Sequence, residues 1–164
     1  VITIPRNEKV ILYYPGVFGT SIEFEGNSNI MNSINGMFIE YYNDRSNWLM
    51  EHVNEWENIW NNGRIDVIGN DTMASYVYAS MYYTLLSIRD DWNFGISPGA
   101  LSTNAYNGNV FWDQSTWMYP PLLMFHANLA NSCLQYRYNT INGAQINANY
   151  SDLNGSLRYP WQSA

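Results

Sequence analysis

Residues 96–123 read ISPGALSTNAYNGNVFWDQSTWMYPPLL, and the rest of the chain is arranged around them. Trp112, Trp117, Tyr106 and Tyr119 share the stretch with one carboxylate, Asp113, and a set of neutral polar residues. Gly99 and Gly108 punctuate its first half and Pro120-Pro121 close it. Neither alternation nor a helical stripe runs through 97–109, which reads as a loop. A long loop rich in large aromatics is unusual unless it has work to do. Indole faces, one carboxylate and side-chain amides together make the chemistry of sugar binding. The C–H faces of a pyranose stack on aromatic rings, while its hydroxyls need donors and acceptors. A buried aromatic cluster with a structural Asp is the other reading of the same composition.

Outward from this stretch, two apolar stripes read as helices. On the N-terminal side, Asn70-Asp71-Thr72 offers cap chemistry, and Met73, Val77, Met81, Leu85 and Ile88 follow at helical spacing. On the C-terminal side, Leu122, Phe125, Leu129, Cys133 and Tyr136 continue as one helix, with Pro121 suited to its first turn. Further upstream, Ser46 can cap a helix starting near Asn47, whose face carries Leu49, Val53, Trp56 and Trp60 and which Gly63 stops. Trp56 and Trp60 match the apolar period, which favours packing on a neighbour over a sugar platform. Residues 26–47 are polar and Asn-rich, with one apolar patch at Met37-Phe38-Ile39, and read as loop with at most a short strand. Residues 1–24 alternate loosely between Pro5, Pro15 and Gly16, as short strands or an extended segment would. Residues 143–155 are polar and read as surface loop.

Composition limits the function classes. The net charge is −7, with a single lysine, Lys9. An acidic chain without a basic cluster argues against nucleic acid and against an anionic membrane surface as partner. No apolar run approaches a membrane span. Aromatics make up 16% against 13% charged residues, a balance that suits carbohydrate handling. The lone cysteine, Cys133, excludes an internal disulfide and sits in an apolar pattern as a buried thiol. His52 and His126 have no metal-ligand spacing, so no metal site and no cofactor are assigned. There is no phosphate-cradling glycine loop and no nucleophile elbow. Asp90-Asp91 beside Trp92 invites an acid–base reading, but neighbouring side chains diverge, and an ion pair with Arg89 is the better role. Three sequons, at Asn70, Asn149 and Asn154, are candidate glycan acceptors.

Leu101-Ser102-Thr103-Asn104, then Gly108-Asn109-Val110-Phe111-Trp112-Asp113, then Trp117-Met118-Tyr119-Pro120-Pro121-Leu122-Leu123 resemble the signature of glycoside hydrolase family 65. The family spans acid trehalases, a glucosidase of glucosylgalactosyl-hydroxylysine, and maltose, trehalose and kojibiose phosphorylases. One departure is Asn109, where members usually carry His. The resemblance implies a mainly α chain, the start of an (α/α) barrel of six hairpins, preceded by a short β or extended segment. Two origins fit that segment: the tail of the family's N-terminal β-sandwich, or a stretch joined from elsewhere. The implied division is 1–45 for this segment, 46–69 for a linker helix and connection, and 70–164 for an incomplete catalytic domain.

The resemblance also implies chemistry. Trp112 would stack on the non-reducing glucose and Asp113 would hold its hydroxyls, with Trp161 and Gln162 adding to the same pocket. Arg137, in a "QYR" segment similar to the family's, would be structural or stand behind the residues that touch the sugar. The family inverts configuration at an α-glucosidic bond, which requires a carboxylic acid plus either a water-activating carboxylate or attacking phosphate. The general acid Glu is expected beyond Ala164, so the catalytic residues stay unassigned. Partners implied are an α-glucoside sugar and the remainder of the catalytic barrel. The motif wording, the sequons and the low pI lean toward a hydrolase, with trehalose as first substrate and a secretory, lysosomal or vacuolar, or extracellular location. Two alternatives remain: an α-glucoside phosphorylase, and a glycan-binding or structural glycoprotein that keeps the barrel without catalysis.

Overall fold

A computed structural model describes residues 3–11, 13–24, 29–151, 153 and 155–163. It is mainly helical. In chain order come α1 (Ile30–Asn43), α2 (Trp48–Asn62), α3 (Asp71–Leu85), β1 (Val110–Phe111), a π-helical turn (Gln114–Met118), α4 (Tyr119–Phe125), α5 (Ala127–Asn139), α6 (Ile141–Asn149) and β2 (Gln162–Ser163). The chain parts into two compact units, Val1–Trp56 and Glu57–Ala164, the boundary falling inside α2.

In the first unit the expected loop at 26–47 is instead helix α1. Asn29 caps it, its Oδ1 accepting from the Asn32 amide at 3.4 Å. The Asn-rich composition masks its apolar residues, and none of the helix is buried. Instead aromatic and cationic groups stack along it: Phe38 on Tyr42 at 6.0 Å, and the Arg45 guanidinium over the Tyr42 ring at 4.8 Å. The described residues of 3–24 are irregular with turns, and no strand forms among them. Ser46 does not cap α2. The Glu51 amide donates to the Asn47 carbonyl at 3.0 Å, so the cap position lies one residue later.

The second unit begins with the end of α2. Gly63 terminates that helix as expected, and the backbone of α4 explains why it must be glycine. A Cβ there would lie 2.7 Å from both Phe125 Cβ and the Phe125 carbonyl oxygen. Asn70 caps α3, its Oδ1 accepting from the Met73 amide at 2.9 Å. Only the C-terminal end of the α3 stripe, Leu85, is buried within the helix, with Ile88 just past it. Met73, at the other end, is half exposed.

The single helix expected from Leu122 to Tyr136 is two. His126 takes φ −143°, ψ 65°, which ends α4 and begins α5. The apolar spacing runs through this break unchanged because the buried side chains on either side still meet one core. At the break, His126 Nε2 lies 3.0 Å from the Gly63 carbonyl, tying the junction of α4 and α5 to the end of α2. The polar region 143–155 is likewise helical over its first part, as α6, where Ala144 and Ala148 are buried. The core is thus built from Leu85, Ile96, Val110, Leu122, Cys133 and Tyr136, with alanines of α5 and α6.

Residues 97–109 form the expected loop, a series of tight turns in which Ala100 N donates to Ser97 O (2.8 Å) and Asn109 N to Tyr106 O (2.9 Å). The loop delivers the chain to β1, which pairs antiparallel with β2 in the register Val110↔Ser163 and Phe111↔Gln162.

Candidate sugar site

The short ribbon decides where the aromatic residues go. Phe111 opposes Gln162 in the ladder, so the next residues outward, Trp112 and Trp161, fall beside one another. Their ring centroids are 5.5 Å apart at a 44° tilt. Trp117 adds a third indole, edge-on to Trp112 at 6.2 Å. Trp117 lies within the π-helical turn that follows Trp112 and Asp113. The three rings are 39%, 66% and 67% exposed for Trp112, Trp117 and Trp161, open enough to receive a ligand.

Asp113 stands between Trp112 and the π-helical turn in a helical backbone conformation, and its side chain makes no capping hydrogen bond. Its carboxylate is therefore not spent on the turn that follows it. Gln162 is exposed on β2. Of the predicted sugar residues, Trp112 and Trp161 meet directly; Asp113 follows Trp112 at the start of the π-helical turn, and Gln162 follows Trp161 on β2, where strand alternation turns its side chain to the other face.

A buried amide locks this arrangement from beneath. Gln114 is almost fully buried; its Oε1 accepts from the Ile96 amide at 2.7 Å and its Nε2 donates to the Cys133 carbonyl at 3.4 Å. It joins the loop, the π-helical turn and α5 at one point, next to Asp113. Gly95, at φ +75°, has a glycine-favouring backbone, and a Cβ there would run into Gln114 Oε1. Burial pushes the Cys133 thiol up to about 11, so it is a packing group and not a nucleophile. Gln114 carries no signal in the sequence, because a polar residue in a polar stretch breaks no period.

The remaining candidates lie elsewhere. Asp91 pairs with Arg89 through two bonds, Nε to Oδ1 at 2.9 Å and Nη2 to Oδ2 at 2.7 Å. The hydrogen bond from Arg89 holds its carboxyl below the usual range. Asp91 is spent on an exposed ion pair, not on acid–base chemistry. Asn70 is exposed at the start of α3, and Asn149 is the last residue of α6, not in a loop. Asn154 lies outside the described residues. Among the described residues no group of three or more His, Cys, Asp or Glu could hold a metal ion, and no helix is long and apolar enough to cross a membrane.

A family model described as the glycosyl hydrolase family 65 central catalytic domain matches residues 79–164. The chain is 39% identical, over 99% of its length, to a protein-glucosylgalactosylhydroxylysine glucosidase of Dictyostelium discoideum, of which it covers 23%. It is 38% identical, over 73% of its length, to a kojibiose hydrolase of Flavobacterium johnsoniae, of which it covers 17%. It is also 29% identical, over 99% of its length, to a periplasmic acid trehalase of Saccharomyces cerevisiae, of which it covers 14%. The chain therefore spans less than a quarter of the length of these relatives.

Proposed function

Since the chain belongs to glycosyl hydrolase family 65, we propose that it supplies the glucose-binding part of an inverting enzyme that cleaves an α-glucosidic bond. The observation that carries this reading is the Trp112–Trp161 ring pair, with Asp113 next in the chain and its carboxylate not engaged in capping the turn. In this reading glucose stacks on the indoles, and Asp113 accepts from its hydroxyls. Charge-assisted bonds of that kind are short and strong, and they fix the ring so that the scissile bond is presented in one orientation. Asp113 binds and orients. The carboxyl that protonates the leaving oxygen, and the carboxylate that activates water some 6.5–9.5 Å from it, belong to the remainder of the barrel.

Trehalose, which the motif suggests first, is retained as a substrate, but the more similar relatives favour a glucosylgalactosyl-hydroxylysine glucoside or kojibiose ahead of it. A secretory or extracellular compartment completes the reading, supported by the periplasmic trehalase relative and by the acidic charge balance.

Proton NMR of the full-length protein with each of the three glucosides, with and without phosphate, tests the reaction. Release of β-glucose without phosphate is expected. β-Glucose 1-phosphate formed only with phosphate would make the protein a phosphorylase. No product from any of the three would overturn the reading in favour of a glycan-binding protein without catalysis.

A further inference from the structure

We propose that Arg137, near the end of α5, is a positioning residue that fixes the Trp112–Trp161 pair in its sugar-accepting geometry; the inference rests on the sugar-site reading above. Its Nη2 donates to the Phe111 carbonyl at 3.1 Å and lies 3.4 Å from Ser115 Oγ. These two acceptors bracket Trp112 and Asp113 in the chain, so a single guanidinium nitrogen contacts the chain on both sides of them. The same guanidinium lies 5.3 Å from the Tyr159 ring centroid, and Tyr159 Oη donates back to the Arg137 carbonyl at 2.9 Å. Tyr159 stands two residues before Trp161. Next to Arg137, Tyr136 Oη and Ser163 Oγ share a 2.6 Å hydrogen bond, on the other side of Trp161 and Gln162. Two neighbouring residues of α5 therefore hold each strand at one point, Phe111 and Ser163, and the adjoining chain at Ser115 and Tyr159.

Stability alone does not account for this residue. Arg137 Nη1 is buried with no hydrogen-bond partner among the described residues. A buried donor left unsatisfied is costly, and an apolar side chain of similar volume would pack there without that cost. An apolar residue cannot donate to the Phe111 carbonyl and Ser115 Oγ, and a lysine ammonium lacks the planar guanidinium that sits over the Tyr159 ring. The guanidinium is retained for geometry.

The test is D-glucose binding by calorimetry and kinetics on kojibiose, with the full-length protein at a temperature where each variant is folded. Arg137→Lys and Arg137→Ala are expected to raise the Kd for glucose and the KM by about ten-fold or more, since small misplacements of a binding group are expensive. Methylguanidinium added to Arg137→Ala is expected to recover part of the loss. Tyr159→Phe, which keeps the ring and loses the hydroxyl, is expected to raise KM by a smaller factor and serves if the Arg137 variants do not fold. A lower Tm with unchanged Kd and KM in these variants would reduce Arg137 to a stabilising role and overturn the proposal. Trp112→Ala is measured alongside. If it weakens binding while the Arg137 and Tyr159 variants do not, only the positioning role fails. If it too leaves binding unchanged, or if the unaltered protein binds no glucose, the sugar site itself is wrong and this proposal goes with it.

Discussion

Trp112 and Trp161 lie 5.5 Å apart at their ring centroids because the residues just inside them, Phe111 and Gln162, are ladder partners. The paired indole surface is thus a consequence of strand register. A slip by one residue would turn one indole to the opposite face of the ribbon.

Within the full-length protein, Trp112→Ala is expected to weaken glucose binding by about 1–3 kcal/mol, the range for losing an aromatic anchor. Asp113→Asn should abolish turnover with the fold intact, because the amide keeps the shape but loses the charge that anchors the hydroxyls. Calorimetry and steady-state rates check both. Full activity of Asp113→Asn would remove that residue from the site.

Gln114→Leu should be far more damaging than its sequence surroundings suggest. It strands the buried Ile96 amide, costing about 1–3 kcal/mol for an unsatisfied group, while the Cys133 carbonyl keeps its helical bond within α5. Gly95→Ala should approach the same loss by pushing the amide aside. Thermal unfolding measures the first effect, and hydrogen exchange at Ile96 locates it. Wild-type protection of the Ile96 amide in Gln114→Leu would rule out the lock.

The helical stripe of α3 and its Asn70 cap are legible in the sequence, since propensity, period and capping agree there. Helix α1 carries the same kind of stripe, Ile30, Ile34, Phe38 and Tyr41 at helical spacing, but the asparagines and glycine between them make the segment read as loop, and none of it is buried. The break at His126 leaves no trace in the pattern, since the buried side chains of α4 and α5 keep helical spacing across it. Trp112 and Asp113 stand out through motif resemblance. The contact with Trp161 and the supports from Gln114 and Arg137 depend on pairings between distant segments, which local spacing does not encode.

Asn70 offers a way to separate a cap from a glycan. Its Oδ1 caps α3, leaving the amide nitrogen as the acceptor in the Asn70-Asp71-Thr72 sequon. Asn70→Ser retains a good cap and removes the acceptor, whereas Asn70→Ala removes both at about 0.5–2 kcal/mol. In secreted protein, both variants should lose a peptide-N-glycosidase-sensitive mass. Only the alanine variant should speed exchange of the Met73 amide. Unaltered protein with no glycan mass at Asn70 would remove it as an acceptor.

Cys133 sets a pH dependence of definite sign. Burial raises its folded-state value to about 11 from an ordinary 9.0. The unfolded chain therefore releases a proton first as pH rises, and the folded state loses stability progressively between those values, with the contribution fully present below them. A maleimide at neutral pH should label Cys133 only in denaturant. Rapid labelling of the native protein would show that the thiol is open to solvent.

The three indoles carry one further consequence. Trp112 lies within 6.2 Å of both Trp117 and Trp161. Chromophores that close exchange excitation, and the sign and size of the resulting circular dichroism depend on the angles between their rings. A ligand that seats itself on Trp112 and shifts either tilt would change that couplet directly. The protein carries its own unlabelled optical gauge of occupancy, read at wavelengths where sugars are silent.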